Sequence, residues 1–254
     1  MLSIIQGFDF EFSRDERFRM IKQAGFGGIS LWWGDERDAD YIKHPEQARE
    51  MGFLVENAHV GYKRTNNLWL DNIDGASMTD YLIQCVKDCA VAEVPAIVVH
   101  LTTGKTPPPF NAMGLDRIKR IVEQAERLNA NIALENLRKP EYLEFVLGEI
   151  DSPRLGFCYD SGHHLLYAPN EDLLGKYGDR LMAIHLHDND GSADQHLLPF
   201  DGNIDWIKTM GAIKATGYSG GVSLEVLKTK YEVLTAEEFL QAAFERAKRL
   251  EEIL

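Results

Sequence analysis

Hydrophobic and polar positions along the chain alternate between two periods. Short apolar runs bounded by Gly, Asn, Asp and Pro predict strands over residues 3–8, 28–33, 53–59, 96–101, 131–135, 155–160, 181–187 and 221–226. Between them, apolar residues recur at three- and four-residue spacing, which predicts helices over 15–24, 39–51, 78–92, 115–129, 141–148, around 171–177, 204–213 and 236–254, the first two stopped by Gly25 and Gly52. Eight strand–helix pairs in 254 residues, with no Ser/Pro-rich linker or shift in composition, predict a single (β/α)8 TIM barrel spanning 1–254 as one domain. An open doubly wound sheet fits less well. No Gly-x-Gly-x-x-Gly turn follows the first strand, and the polar candidates come from many strands instead of one crevice.

Alternation within the strands sharpens the expectation, because every second side chain of a barrel strand points to the axis. Counting back from Glu225 places Ser223 and Gly221 inside; from Asp160, Cys158 and Gly156; from Glu135, Ala133; from His185, Ala183. The intervening Val222, Leu224, Phe157, Tyr159, Ile132, Leu134, Met182 and Ile184 then face the helices. A polar residue at the last inward position sits on the C-terminal rim, where barrel active sites are built.

The rim is unusually rich in chemistry. The third to eighth strands end in His59, His100, Glu135, Asp160, His185 and Glu225, six successive strands that each finish on a potential metal ligand. Taken singly, such an acid caps the next helix and such a histidine is a hydrogen-bonded structural residue; six at equivalent positions point to a shared site. The stretch from Leu181 to Asp205 adds more, opening as an apolar strand and dissolving into a loop that holds Asp194 and His196, while His163 follows Asp160 by three residues. Imidazole and carboxylate together are the donors that divalent zinc, manganese, iron or cobalt prefer.

Composition narrows the partners. A net charge of -13 argues against a broad basic face for nucleic acid or for an anionic membrane, and no apolar run reaches the length of a membrane span. The first residues lack a cationic leader, so a soluble cytoplasmic protein without a membrane partner is expected; assembly into a homo-oligomer is left open. Cys85, Cys89 and Cys158 have no framework spacing and are assigned no chemistry. Lys63 and Arg64 are the cations that stand out in the early loops, and Lys105 and Arg138 follow the fourth and fifth strands, a number suited to one sugar phosphate and thin for a duplex.

The combination of LEN around Glu135, DSGH from Asp160, IHLHD around His185, DQHLLPFDGNIDW and a closing SLEV resembles the xylose-isomerase-like barrel superfamily, which includes sugar isomerases, sugar epimerases and the endonuclease IV group of abasic-site endonucleases. The resemblance covers essentially the whole chain, in order. It implies that Glu135, Asp160, His185 and Glu225 ligate one divalent metal, zinc or manganese, that Glu135 and Glu225 also move substrate protons, and that His163 meets the substrate. His59 and His100 join it as substrate-binding candidates. The expected activity is metal-dependent isomerisation or epimerisation of a sugar or sugar phosphate by proton transfer through a metal-stabilised ene-diolate. Trp33, one of an adjacent Trp pair, is a candidate for stacking on the sugar, with Phe8 as a further apolar surface.

The same residues also match the longer endonuclease IV pattern. There His59, His100, His163, Asp194 and His196 become additional metal ligands, and the implied activity is a multinuclear zinc phosphodiesterase acting on abasic DNA.

Overall fold

A computed structural model describes residues 1–35 and 38–254. Eight parallel strands run β1 (Leu2–Ile5), β2 (Gly28–Trp33), β3 (Leu54–Val60), β4 (Ile97–Val99), β5 (Ile132–Glu135), β6 (Leu155–Asp160), β7 (Leu181–His185) and β8 (Val222–Leu224). From β1 to β7 each strand pairs with the next, β8 pairs with β1, and an isolated bridge from Leu186 to Leu224 links the β7 and β8 sides, giving a nearly closed (β/α)8 barrel. Around it lie α1 (Arg14–Ala24), α2 (His44–Glu50), α3 (Ile73–Val91), α4 (Ala112–Leu128), α5 (Pro140–Glu149), α6 (Ser161–Tyr167), α7 (Leu173–Tyr177), α8 (Trp206–Ala215) and α9 (Ala236–Ile253). No helix among the described residues is long and apolar enough to cross a membrane.

Local chemistry sets the helix ends. Ser13 caps α1 in a reciprocal box with Glu16, and Gly25 ends it at φ 108, a backbone region that favours glycine. Thr235 and Glu238 form the same box at the start of α9. Two helices begin five residues from their predicted starts, and one helix is additional to the predicted set. Asn72 caps α3, so it starts five residues before Met78. The predicted 39–51 helix is a 3-10 turn, Tyr41–Lys43, followed by α2, whose first turn takes Pro45 where its missing N–H costs nothing. The helix α6 was not predicted at all; it follows β6 without an intervening loop, Asp160 serving as its N-cap.

The inward and outward sets separate as the alternation requires. Val98, Ala133, Cys158 and Ala183 form a small cluster on the axis, apart from the larger layer in which Ile4, Leu31, Leu134, Phe157 and Ile184 meet Phe18, Ile121 and Phe239 of the helices. Ser30 and Ser223 complete the interior, their hydroxyls 3.1 Å apart. Met182 departs from its expected outward position and packs against the axial cluster, filling space left by the absent side chain of Gly156. With small residues on the axis, the strand ends converge closely enough for the rim side chains to touch.

Candidate metal and active site

The rim is braced by polar side chains that clip neighbouring strand ends. Asn136, just after β5, donates to the Asp160 carbonyl at 2.9 Å and accepts from the Asp160 N–H at 2.7 Å. Ser161 does the same for β7, donating to the His187 carbonyl at 2.8 Å and accepting from its N–H at 3.0 Å. These two clips are what the LEN and DSGH segments accomplish.

Two groups of donors result. In the first, His59, Glu135, His185 and Glu225 bring one ligand atom each within 4.8 Å of one another, all four buried. His185 Nδ1 lies 2.6 Å from Glu225 Oε2 and 3.6 Å from Glu135 Oε1, so two carboxylates flank one imidazole. His100 and His59 hold the other oxygen of Glu135 at 2.8 and 3.1 Å. In the second, His163, His187, Asp194 and His196 converge: His163 Nε2 is 3.1 Å from Asp194 Oδ2, His196 Nε2 is 3.5 Å from Asp194 Oδ1, and the His187 and His196 rings stack at 3.9 Å.

Asp160 differs from its expected place. Its carboxylate accepts from the His163 N–H at 2.6 Å and faces His187 Nε2 at 3.0 Å, so it groups with Glu135 and His163 between the two clusters and not with His185 and Glu225. The cause is its second duty as the cap of α6. His59 takes the position it leaves.

His187 went unassigned from the sequence, yet it is fully buried and central to the second cluster. The signal was present: it follows His185 by two residues and so shares its face. Gly162 makes room for it, since a Cβ there would collide with the His187 ring. Trp33 is corrected. Its ring is buried on the helix side of β2, the indole N–H donating to the Cys85 carbonyl at 3.0 Å, because the inward set on that strand is Ser30 and Trp32. Trp32 backs His59 edge-on at 5.1 Å. Phe8 likewise turns away from the site, against Phe239 of α9. The aromatic rings that line the cleft are Tyr62, stacked on His100 at 4.6 Å, and Tyr167.

Electrostatics fit a cation-binding centre. Burial pushes the Glu135 carboxyl up, but His100, His163 and His185 outweigh it and hold it well below the usual carboxylate range. Burial likewise raises Glu225, and His185 overrides it in the same downward direction. Desolvation opposes protonation of His163, His185 and His196; the neighbouring acids prevail, raising the first two well above the usual imidazole value and the third to about 9.

Backbone hydrogen bonds orient three of the rings. His59, His163 and His196 each direct Nδ1 to a backbone carbonyl, of Val60 at 2.9 Å, Asn136 at 3.0 Å and Glu225 at 2.8 Å, which assigns Nδ1 as donor and turns Nε2 toward carboxylates. At His163 and His196 a neutral ring so held would set its lone pair against an anion, an arrangement relieved by a second proton or by a bound cation between them. A backbone-anchored Nδ1–H with a free Nε2 is the support that metal-binding imidazoles use. The donor set therefore fits a divalent ion.

These groups form the floor of a cleft of about 180 Å³. A larger hollow, about 590 Å³, opens at the opposite end of the barrel beside Glu56, Met182 and Gly221, where no His–carboxylate group was found among the described residues.

The chain belongs to the family described as xylose isomerase-like TIM barrel, which it matches over residues 18–250. It is 41% identical over 133 residues to protein y4fM of Sinorhizobium fredii, a match covering 50% of this chain and 42% of that one, so the aligned part spans less than half of that relative. Fructoselysine 3-epimerase of Shigella flexneri is 23% identical over 239 residues, covering 84% of this chain and 85% of the relative. Among solved structures, the IOLI protein with a bound zinc atom superposes with a TM-score of 0.79 at 17% identity, covering 98% of this chain and 97% of that one, a likeness of fold.

Proposed function

We propose that this member of the xylose isomerase-like barrels is a divalent-metal-dependent sugar isomerase or epimerase. The observation that carries the reading is the placement of Glu135 and Glu225 on either side of His185, two carboxyl groups facing one point at the base of a cleft of monosaccharide scale. The epimerase among its relatives agrees with it. A zinc or manganese ion held by Glu135, His185 and Glu225, with His59 or Asp160 completing the set, would polarise the substrate carbonyl and acidify the neighbouring C–H.

The chain's own groups then divide the work. One glutamate takes the proton from the carbon beside the carbonyl; the C–H electron pair becomes a carbon–carbon double bond as the carbonyl oxygen gains charge. The other glutamate, which enters the step protonated, supplies its proton to the opposite face for epimerisation; for isomerisation a proton is delivered to the former carbonyl carbon while the neighbouring hydroxyl proton passes to the former carbonyl oxygen. His100 and His59 hold Oε2 of Glu135, which fixes the direction in which Oε1 points. Burial of the pair excludes water that would otherwise quench the intermediate. Replacing Glu135 with Gln lowers exchange of the substrate's α-proton with solvent about 10²- to 10⁴-fold, read by NMR in deuterated buffer across a panel of ketoses; full exchange in that variant refutes the assignment.

A second reading, hydrolysis of phosphodiesters at abasic DNA, is favoured by the second donor cluster alone. Arg138 as the one lysine or arginine among the described residues lining the cleft weighs against it, because a duplex backbone needs several cations. Metal content separates the two. About one metal per chain, retained in His59→Ala, supports the single-metal site completed by Asp160; two or three, with loss in that variant, favours the phosphodiesterase.

A further inference from the structure

Arg138 lies in the short segment between β5 and α5, at the open side of the cleft that Glu135 closes from below. None of the described carboxylates lies within ion-pair distance of this guanidinium, although its chain neighbour Lys139 pairs with Glu141 at 3.7 Å. Arg138 is held by an aromatic ring instead. Its plane covers Tyr167 at 4.3 Å, and Nη2 donates to the Tyr167 hydroxyl at 2.7 Å. Stacking of this kind fixes the fork of donors while leaving the remaining N–H groups directed away from the ring.

The spacing is set by one helix. Tyr167 ends α6, the helix that also carries His163, and the two rings stand 5.7 Å apart. His163 in turn touches Glu135 at 3.3 Å. Reading outward from the paired glutamates, the cleft thus presents an imidazole, a phenol and then an unpaired guanidinium. Thr102, Thr103 and Gly104, which follow the adjacent strand β4, also line the cleft; the Thr103 backbone is fastened on both sides by Asn66, at 2.9 Å each way, and Gly104 turns the chain at φ 76. Among the described residues that line it, the cleft has acids at its floor and one forked cation at its mouth.

We propose that Arg138 is the specificity-determining residue of the site, binding an anionic group, phosphate or carboxylate, carried by the substrate at the end remote from the reacting carbons. The proposal rests on the sugar isomerase or epimerase reading and specifies its substrate class: an acidic ketose in place of a neutral one. A planar guanidinium pairs with either anion through two parallel hydrogen bonds, and Tyr167 keeps it from folding back onto the acidic floor.

The test compares D-fructose, D-fructose 6-phosphate and D-fructuronate as probes of neutral, phosphate and carboxylate chemistry, in the metal-loaded wild-type protein and in Arg138→Met and Arg138→Lys. Binding is measured by calorimetry and turnover by α-proton exchange. The expected result is tighter binding of one acidic sugar than of fructose, with that preference falling about 10- to 100-fold in Arg138→Met and partly recovered in Arg138→Lys. Which acidic sugar responds identifies the anion. Equal binding of all three sugars to the wild type, or a preference that Arg138→Met leaves intact, overturns the proposal. Exchange keeps the two claims apart: an Arg138-dependent preference in binding without exchange of any sugar refutes the isomerase reading and sustains the anion site. Exchange of fructose with no acidic preference does the reverse.

Discussion

The two donor clusters lie side by side yet are built differently. His59, Glu135, His185 and Glu225 all stand at strand ends, so the ladder hydrogen bonds of the barrel fix their spacing. In the second cluster His163 comes from a two-turn helix, and Asp194 and His196 from the long loop between β7 and α8. A loop has no ladder, and this one is organised around a single buried side chain. Asp188 accepts from the N–H groups of Asn189, Phe200 and Ile204 at 3.0, 3.0 and 3.1 Å and from the Trp206 indole at 2.9 Å, while its backbone pairs antiparallel with Leu197. The comparison teaches that strand-borne donors inherit their geometry from the fold, whereas loop-borne donors require a dedicated polar hub.

The largest effect should come from removing that hub. Asp188→Ala leaves four donors without an acceptor, two of them buried and two half-buried, and is expected to lower unfolding free energy by about 3–5 kcal/mol in denaturant melts. Limited proteolysis should then cut within residues 190–203 while metal bound by the strand cluster persists. Equal loss of metal from both clusters would erase the distinction.

Zinc stabilisation sharpens it at a somewhat smaller scale. Zinc at a hundredfold excess over its Kd contributes about 2.7 kcal/mol for a site it fills. Scanning calorimetry of His185→Ala should show loss of the contribution from the strand cluster, and His196→Ala loss of any contribution from the loop cluster, with little cross-talk. If either substitution removes all of the zinc effect, the clusters form one site.

The smallest change probes the hub from outside. A Cβ on Gly202 would press into the Asp188 carboxylate, so Gly202→Ala should cost about 1–3 kcal/mol and shift the loop without touching a strand. A matching loss at Glu135, seen as slower α-proton exchange of the size of the Glu135→Gln effect, would contradict independent construction.

The same difference explains what the sequence discloses. Barrel strands have a period of two, so Ala133, Cys158, Ala183, Glu135, His185 and Glu225 can be assigned to the axis by counting, and the structure groups them accordingly. Counting from Ser30 would also have turned Trp32 inward and Trp33 outward, and counting from His185 would have included His187. Both signals are legible in the strand period. The double role of Asp160 was less so: a seven-residue helix beginning directly at a strand end has too few turns for a helical period to emerge, and nothing but the Asp-Ser-Gly order hints at a cap. The loop cluster is opaque for a better reason. Asp194 and His196 come together through contacts of Asp188 with residues up to eighteen positions away, including a left-handed backbone at His196, φ 48, which no local pattern announces.

The stopper of Val98, Ala133, Cys158 and Ala183 on the barrel axis has a kinetic meaning. It seals the floor beneath Glu135 from the hollow at the other end, so the cleft is a cul-de-sac with one doorway. A sugar that enters past Arg138 must back out past it after its stereochemistry has changed, and substrate and product therefore contend for the same threshold. Under the proposed function, inhibition by product is competitive, and forward and reverse flux are throttled alike by whatever stands at that door.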